Sequence, residues 1–224
     1  CKKLELFGAT SICMTEDGTL WIASGNGIIK KIPSNKKVIS SYDMFDKSEA
    51  KESKRIQKLY DAGNGVLLIG TSNHGMKIFN TRTEQNRDVR LLSAEKTEVF
   101  VRDFVKYSED QYWIASESGV FIYNVRSGQV LNLTKDYSNP YSISDNAVYT
   151  FCKDKEGGVW VGTYFGGINY YPKQYTGFKK YFPKYGGNSI SGNAIGEITE
   201  DEEGNLWIGT EDAGLNRLNI TSGI

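Results

Sequence analysis

Histidine occurs once in this 224-residue chain and cysteine three times, and neither charge sign prevails, with 27 basic residues against 27 acidic ones. Balanced charge gives no bulk field to draw in nucleic acid or an anionic membrane, so neither partner is expected. Three cysteines without a Cys-x-x-Cys pair leave one over, which argues against a disulfide framework and against a metal cluster. No apolar run approaches the ~20 residues that cross a bilayer. The segment Cys1-Lys2-Lys3-Leu4 lacks the apolar core of a signal peptide. Sustained helical periodicity is missing too. So are Gly-x-Ser-x-Gly, His-Glu-x-x-His, a phosphate-binding loop and paired Cys/His metal spacing. The chain is therefore expected to be no enzyme, with no catalytic residue, metal or cofactor. A hydrophobic content of 39% still marks it as folded rather than disordered.

What the chain does have is repetition. Glu203-Gly204-Asn205-Leu206-Trp207-Ile208-Gly209-Thr210 echoes Gly157-Gly158-Val159-Trp160-Val161-Gly162-Thr163 and Asp110-Gln111-Tyr112-Trp113-Ile114-Ala115-Ser116. Weaker copies are Gly65-Val66-Leu67-Leu68-Ile69-Gly70-Thr71 and Gly18-Thr19-Leu20-Trp21-Ile22-Ala23-Ser24. The anchors Trp21, Leu68, Trp113, Trp160 and Trp207 are spaced by 47, 45, 47 and 47 residues. A period that regular indicates a repeat architecture.

Each repeat divides into four short strands rich in β-branched and aromatic residues and bounded by Gly, Asp and Asn. In the fourth repeat they are predicted at 147–154, 159–164, 168–171 and 177–182. Four antiparallel strands in about 45 residues is the size of a β-propeller blade. The expected fold is all-β, a propeller of about five blades over residues 1–224, either a small closed ring or a fragment of a larger one. The anchor tryptophans are expected to fill the layers between blades, with a looser layer at Leu68. Ala23, Gly70, Ala115, Gly162 and Gly209 are expected where strands approach closely. Ile12, Leu59, Phe104, Phe151 and Ile198 are predicted on the buried side of each first strand. Cys13 and Cys152, at equivalent positions, are predicted as small apolar fillers. Residues Lys2 to Phe7 resemble a fourth strand with no predecessors, able to complete the last repeat. The charged stretch Asp43–Arg55 is expected to be a solvated loop.

The sequence Asn188-Ser189-Ile190-Ser191-Gly192-Asn193, with Gly204 to Thr210 and Gly214-Leu215-Asn216-Arg217-Leu218, resembles the two-component regulator propeller repeat. The fourth repeat does so from Asn139-Pro140-Tyr141-Ser142-Ile143-Ser144 through Gly162-Thr163 to Gly167-Ile168-Asn169. Repeats one to three lack the Asn-Ser motif, and Leu68 departs from the pattern. The resemblance implies the periplasmic sensor region of a hybrid two-component system of Bacteroidetes-type bacteria. Such sensors carry two seven-bladed propellers, a β-sandwich, a membrane span and a histidine kinase, and they detect glycan breakdown products. Three readings follow: a glycan sensor, a protein-interaction or dimerisation propeller, and a lyase similar to streptogramin lyases. The lyases place several catalytic histidines on one face, and a single His74 argues against them.

Turns that repeat serve the fold, whereas the loops between second and third strands differ from blade to blade. Sugar recognition needs flat aromatic faces, which Tyr141, Tyr164 and Phe165 supply. It also needs planar polar groups, which Asn73, His74, Glu211 and Asp212 supply. These seven residues are the predicted ligand site, with an oligosaccharide, a second copy or further blades of the parent as partners.

Overall fold

The computed structural model describes residues 8–35, 38–45, 53–173, 178–184, 186 and 188–222. Strands are the regular elements among them, and all pair antiparallel in chain order. The first sheet holds β1 (Ala9–Met14), β2 (Leu20–Ser24), β3 (Ile28–Ile32) and β4 (Ser40–Asp43). The second holds β5 (Ile56–Gly63), β6 (Val66–Thr71), β7 (Met76–Asn80) and β8 (Gln85–Val89). The third holds β9 (Val101–Lys106), β10 (Gln111–Ser116), β11 (Gly119–Asn124) and β12 (Val130–Leu133). The fourth has three strands, β13 (Val148–Lys153), β14 (Val159–Thr163) and β15 (Ile168–Tyr171). The fifth also has three, β16 (Ile195–Glu200), β17 (Asn205–Thr210) and β18 (Gly214–Asn219). Each sheet is one sequence repeat, so the period and the blade coincide.

The chain divides into two compact units, residues 1–135 with 142–173, and residues 136–141 with 174–224. In the first unit β1, β5, β9 and β13 lie side by side in succession, the radial arrangement of propeller blades. Apolar layers fill the spaces between blades. Trp21, Ile29, Phe45, Ile56 and Phe79 form one, Leu68, Met76, Val101, Phe104 and Phe121 the next, and Trp113, Ala115, Val148 and Val161 the third. Gly70 stands where the second layer is tightest. A Cβ there would lie 2.5 Å from Val101 Cγ1. The equivalent Gly209 has nothing nearer than 3.7 Å among the described residues.

Polar clasps also join the blades. The Leu59 amide donates to Ser11 Oγ at 2.9 Å. Asp103, on β9, pairs with Lys58 of the preceding blade at 2.9 Å. Its other oxygen accepts from Thr150 Oγ1 at 2.9 Å and from the Phe151 amide at 3.0 Å. Ser11, Lys58, Asp103 and Thr150 hold equivalent positions, one residue before the apolar anchor of each first strand. This polar position had no signal in the sequence, because each residue type is ordinary by itself.

Several expectations are corrected. Residues 178–182 form no strand; Phe182 packs instead on Tyr141, ring centroids 5.4 Å apart, and Lys180 lies over Tyr141 at 3.9 Å. Ile12 and Ile198 are exposed, whereas Leu59 and Phe104 are buried. The buried pair packs on the anchor side chain of the preceding blade, and no described sheet precedes Ile12. Trp21 and Trp113 are buried, but Trp160 is 43% exposed; it packs within its own sheet on Tyr170, centroids 4.5 Å apart. Cys152 is exposed and not a core filler, while Cys13 is half-buried. Met44 and Phe45, at the start of the charged connection, are buried under the second blade. Lys2–Phe7 and Asp46–Glu52 lie outside the described residues.

Candidate functional site

The loop and the turn that frame the fourth and fifth blades are built from the repeat motif itself. In the fourth blade the Ser144 amide donates to Asn169 Oδ1 at 3.0 Å, and Asn169 Nδ2 donates to Ser144 Oγ at 2.8 Å. The fifth repeats this, with the Ser191 amide donating to Asn216 Oδ1 at 2.8 Å. The serine of the motif thus clamps the segment before each first strand to the third strand of its sheet. At the other face Asp154 and Asp201 accept the indole N–H of Trp160 and Trp207 at 3.1 and 2.8 Å. Asp201 also accepts the Asn205 amide at 2.8 Å, the main cause of its pKa being lowered to about 2. These aspartates stand six residues before the tryptophan. Thr15 and Tyr107 hold that place in the first and third blades, and the buried Nε1 atoms of Trp21 and Trp113 have no hydrogen-bond partner among the described residues.

A carboxylate ties that segment before the first strand to the loop between second and third strands in both family-like blades, but from opposite ends. In the fifth blade Asp212 accepts the amides of Asn193 and Ala194 at 3.1 and 3.4 Å. The Asn193 N–H is the principal cause of its lowered pKa. In the fourth blade the equivalent of Asp212 is Phe165, and Asp145 takes over the tie. Asp145 accepts the Phe165 amide at 2.9 Å, which depresses its pKa. The exchange leaves position 165 to an aromatic ring that is 86% exposed.

Phe165 does not stand alone. Its ring meets Tyr164 edge-on at 4.3 Å, and Tyr164 stacks on Tyr149 at 5.2 Å with an interplanar angle of 18°. Arg102, on β9 of the neighbouring blade, lies 3.9 Å from the Tyr149 ring centre and 4.5 Å from that of Phe100. Its Nη2 donates to Glu117 at 2.6 Å. The result is a ladder of rings and one guanidinium running across the third and fourth blades, beside the loops that join their strands. Tyr149, Arg102 and Phe100 escaped the sequence reading. They lie on or beside first strands, where the period reserves positions for structure.

Of the residues expected in the site, Tyr164 and Phe165 are brought together. His74 is half-buried with its ring edge-on to Phe45 at 5.1 Å, and its amide donates to Thr71 Oγ1 at 2.9 Å. Asn73 is exposed on the same loop of the second blade. Tyr141, in the second unit, packs on Phe182. Glu211 is exposed and its amide donates to the Ala194 carbonyl at 2.9 Å, while Asp212 is engaged in holding its loop.

The two-component regulator propeller family matches residues 142–165 and 189–212, the serine clamps and loops of the fourth and fifth blades. No curated protein matches the chain. Among solved structures, one similar domain is the extracellular domain of a hybrid two-component system of B. thetaiotaomicron. It is 25% identical over 96% of this chain and 27% of its own, with a TM-score of 0.62. The extracellular domain of another hybrid two-component system of that organism is 18% identical over 94% of this chain and 27% of its own, with a TM-score of 0.64. The β-propeller domain of Swd1 from Myceliophteria thermophila reaches a TM-score of 0.53 at 13% identity, over 73% of this chain and 53% of that one. The chain spans only about a quarter to a third of the length of the bacterial structures. Two segments of the chain thus match the two-component regulator propeller repeat, and the fold is that of a β-propeller.

Proposed function

We propose that the chain belongs to the extracytoplasmic sensor region of a hybrid two-component system, lying in the periplasm, and that it detects glycan-derived oligosaccharides. The five sheets are then a stretch of propeller, and the histidine kinase and phosphorelay lie elsewhere in the parent. The matched repeats and the likeness to an extracellular domain of such a system support the sensor role.

One observation carries the ligand class: the exposed ladder of Phe165, Tyr164 and Tyr149 beside Arg102. Sugar rings offer C–H faces that pack on aromatic planes, and their hydroxyls take hydrogen bonds from a guanidinium. A ligand bridging the third and fourth blades binds one arrangement of them better than another. That difference in affinity is what shifts a signalling equilibrium. Exposed Trp160, Ile168 and Tyr170 on the fourth blade favour a second reading, in which this sheet also meets another copy or further blades of the parent.

Calorimetric titration of the chain against a panel of neutral and acidic oligosaccharides tests the first reading. Saturable binding is expected with at least one class, and replacing Tyr164 and Phe165 by Ala should abolish it while circular dichroism stays unchanged. Failure of every saccharide to bind, or an unchanged affinity in the double variant, would overturn it.

A further inference from the structure

The second blade departs from its neighbours at two coupled positions. Where the fourth and fifth have Asp154 with Trp160 and Asp201 with Trp207, the second has Ala62 with Leu68. An indole and its carboxylate acceptor are both missing from the same place. Two tyrosines take up part of the space. Tyr60 and Tyr112 meet edge-on at 6.2 Å, and the Tyr112 hydroxyl donates to the Ala62 carbonyl at 3.1 Å. A cleft of about 610 Å³ nonetheless remains between the second and third blades, with Leu68, Ile78, Ala62 and Tyr112 in its wall. The corresponding crevice between the first and second blades, where Trp21 is present, measures about 340 Å³. The larger cleft opens on the face that carries the Ala62–Val66 turn, opposite the aromatic ladder. Its volume falls in the range of small-molecule sites, ~300–1,000 Å³.

The rim is charged. Arg87, held by a 2.9 Å bond from Nη2 to the Tyr123 hydroxyl, and Lys106 stand on it with one acid, Glu109. The excess is one positive charge over an apolar floor.

We propose that this cleft is a second ligand site, distinct from the oligosaccharide site, and that it takes a small planar aromatic carboxylate. The ring replaces the indole that the second blade lacks, and the carboxylate meets Arg87 and Lys106 on the rim. Binding at the seam between two blades would add to the stability of that layer by mass action.

The probe is indole-3-acetate, titrated into the full chain by calorimetry, with the methyl resonances of Leu68 and Ile78 followed by NMR. Saturable binding with one ligand per chain and shifts at both methyls are expected. Leu68→Trp places an indole in the cleft and should abolish the binding. Arg87→Gln should weaken it roughly tenfold, the loss of one charge-assisted contact. Absence of saturable binding, shifts confined to methyls elsewhere, or parental affinity in Leu68→Trp would each overturn the proposal. If Leu68→Trp does not fold, the methyl shifts in the parent chain decide it alone.

Discussion

Replacing Trp113 and Trp160 by alanine, one at a time, separates a tryptophan that cements two blades from one that decorates its own sheet. Trp113 is 3% exposed and lies between Tyr107 and Tyr171, each with its ring centre 5.0 Å away, and Phe151 at 6.4 Å. Two of those neighbours belong to the next blade. Its Nε1 has no partner among the described residues, so truncation sacrifices packing and no hydrogen bond of the indole. A large-to-small change at such a site costs about 3–5 kcal/mol in lost transfer energy and residual cavity. For a domain of this size that is a fall in midpoint of roughly 6–20 °C. Trp160 is 43% exposed and its stacking partner, Tyr170, lies in the same sheet. The buried part of the ring and the hydrogen bond from its Nε1 to Asp154 contribute, so the expected cost is about 1–3 kcal/mol. The assay is urea unfolding monitored by near-ultraviolet circular dichroism, with the two variants and the parent under one buffer. A cost for Trp160→Ala equal to or above that of Trp113→Ala would refute the assignment of the interblade layer.

Three further outcomes are expected. Gly70→Ala should destabilise by about 1–3 kcal/mol, because its methyl would press on Val101, whereas Gly209→Ala should change the unfolding midpoint little. Removing the clasp with Asp103→Ala should cost about 1–3 kcal/mol by stranding the Phe151 amide and freeing Lys58, read as a lower urea midpoint; an unchanged midpoint would show that the clasp is incidental. Asp201 has its folded pKa lowered to about 2 from the ordinary 3.8, so its contribution is complete above the ordinary value and is lost as pH falls from there through about 2. Trp207 fluorescence should report that acid transition in the parent and lose it in Asp201→Asn.

The period of the anchors determined the fold before any coordinate, since a blade must present one large apolar residue at one place to bury its face against the next. The same logic located the small residue two positions on at Gly70, whereas Leu68, expected in a looser layer, is buried in a packed one. Sequence could not tell which of the equivalent positions are buried. Ile12 and Phe104 look alike in the chain, and only the presence of a packed preceding sheet separates Phe104 from Ile12. Nor could it separate a loop carboxylate that holds its own backbone from one free to meet a ligand: Asp212 and Glu211 are adjacent, and their difference lies in the Asn193 and Ala194 amides that fold back onto one of them. The aromatic ladder is of the same kind. Tyr164 and Phe165 were legible as exposed loop rings, but Tyr149, Phe100 and Arg102 join them only because two first strands from successive repeats lie side by side. Local chemistry repeats with the sequence; proximity between repeats is a property of the packed sheets, and the candidate site is made of that proximity.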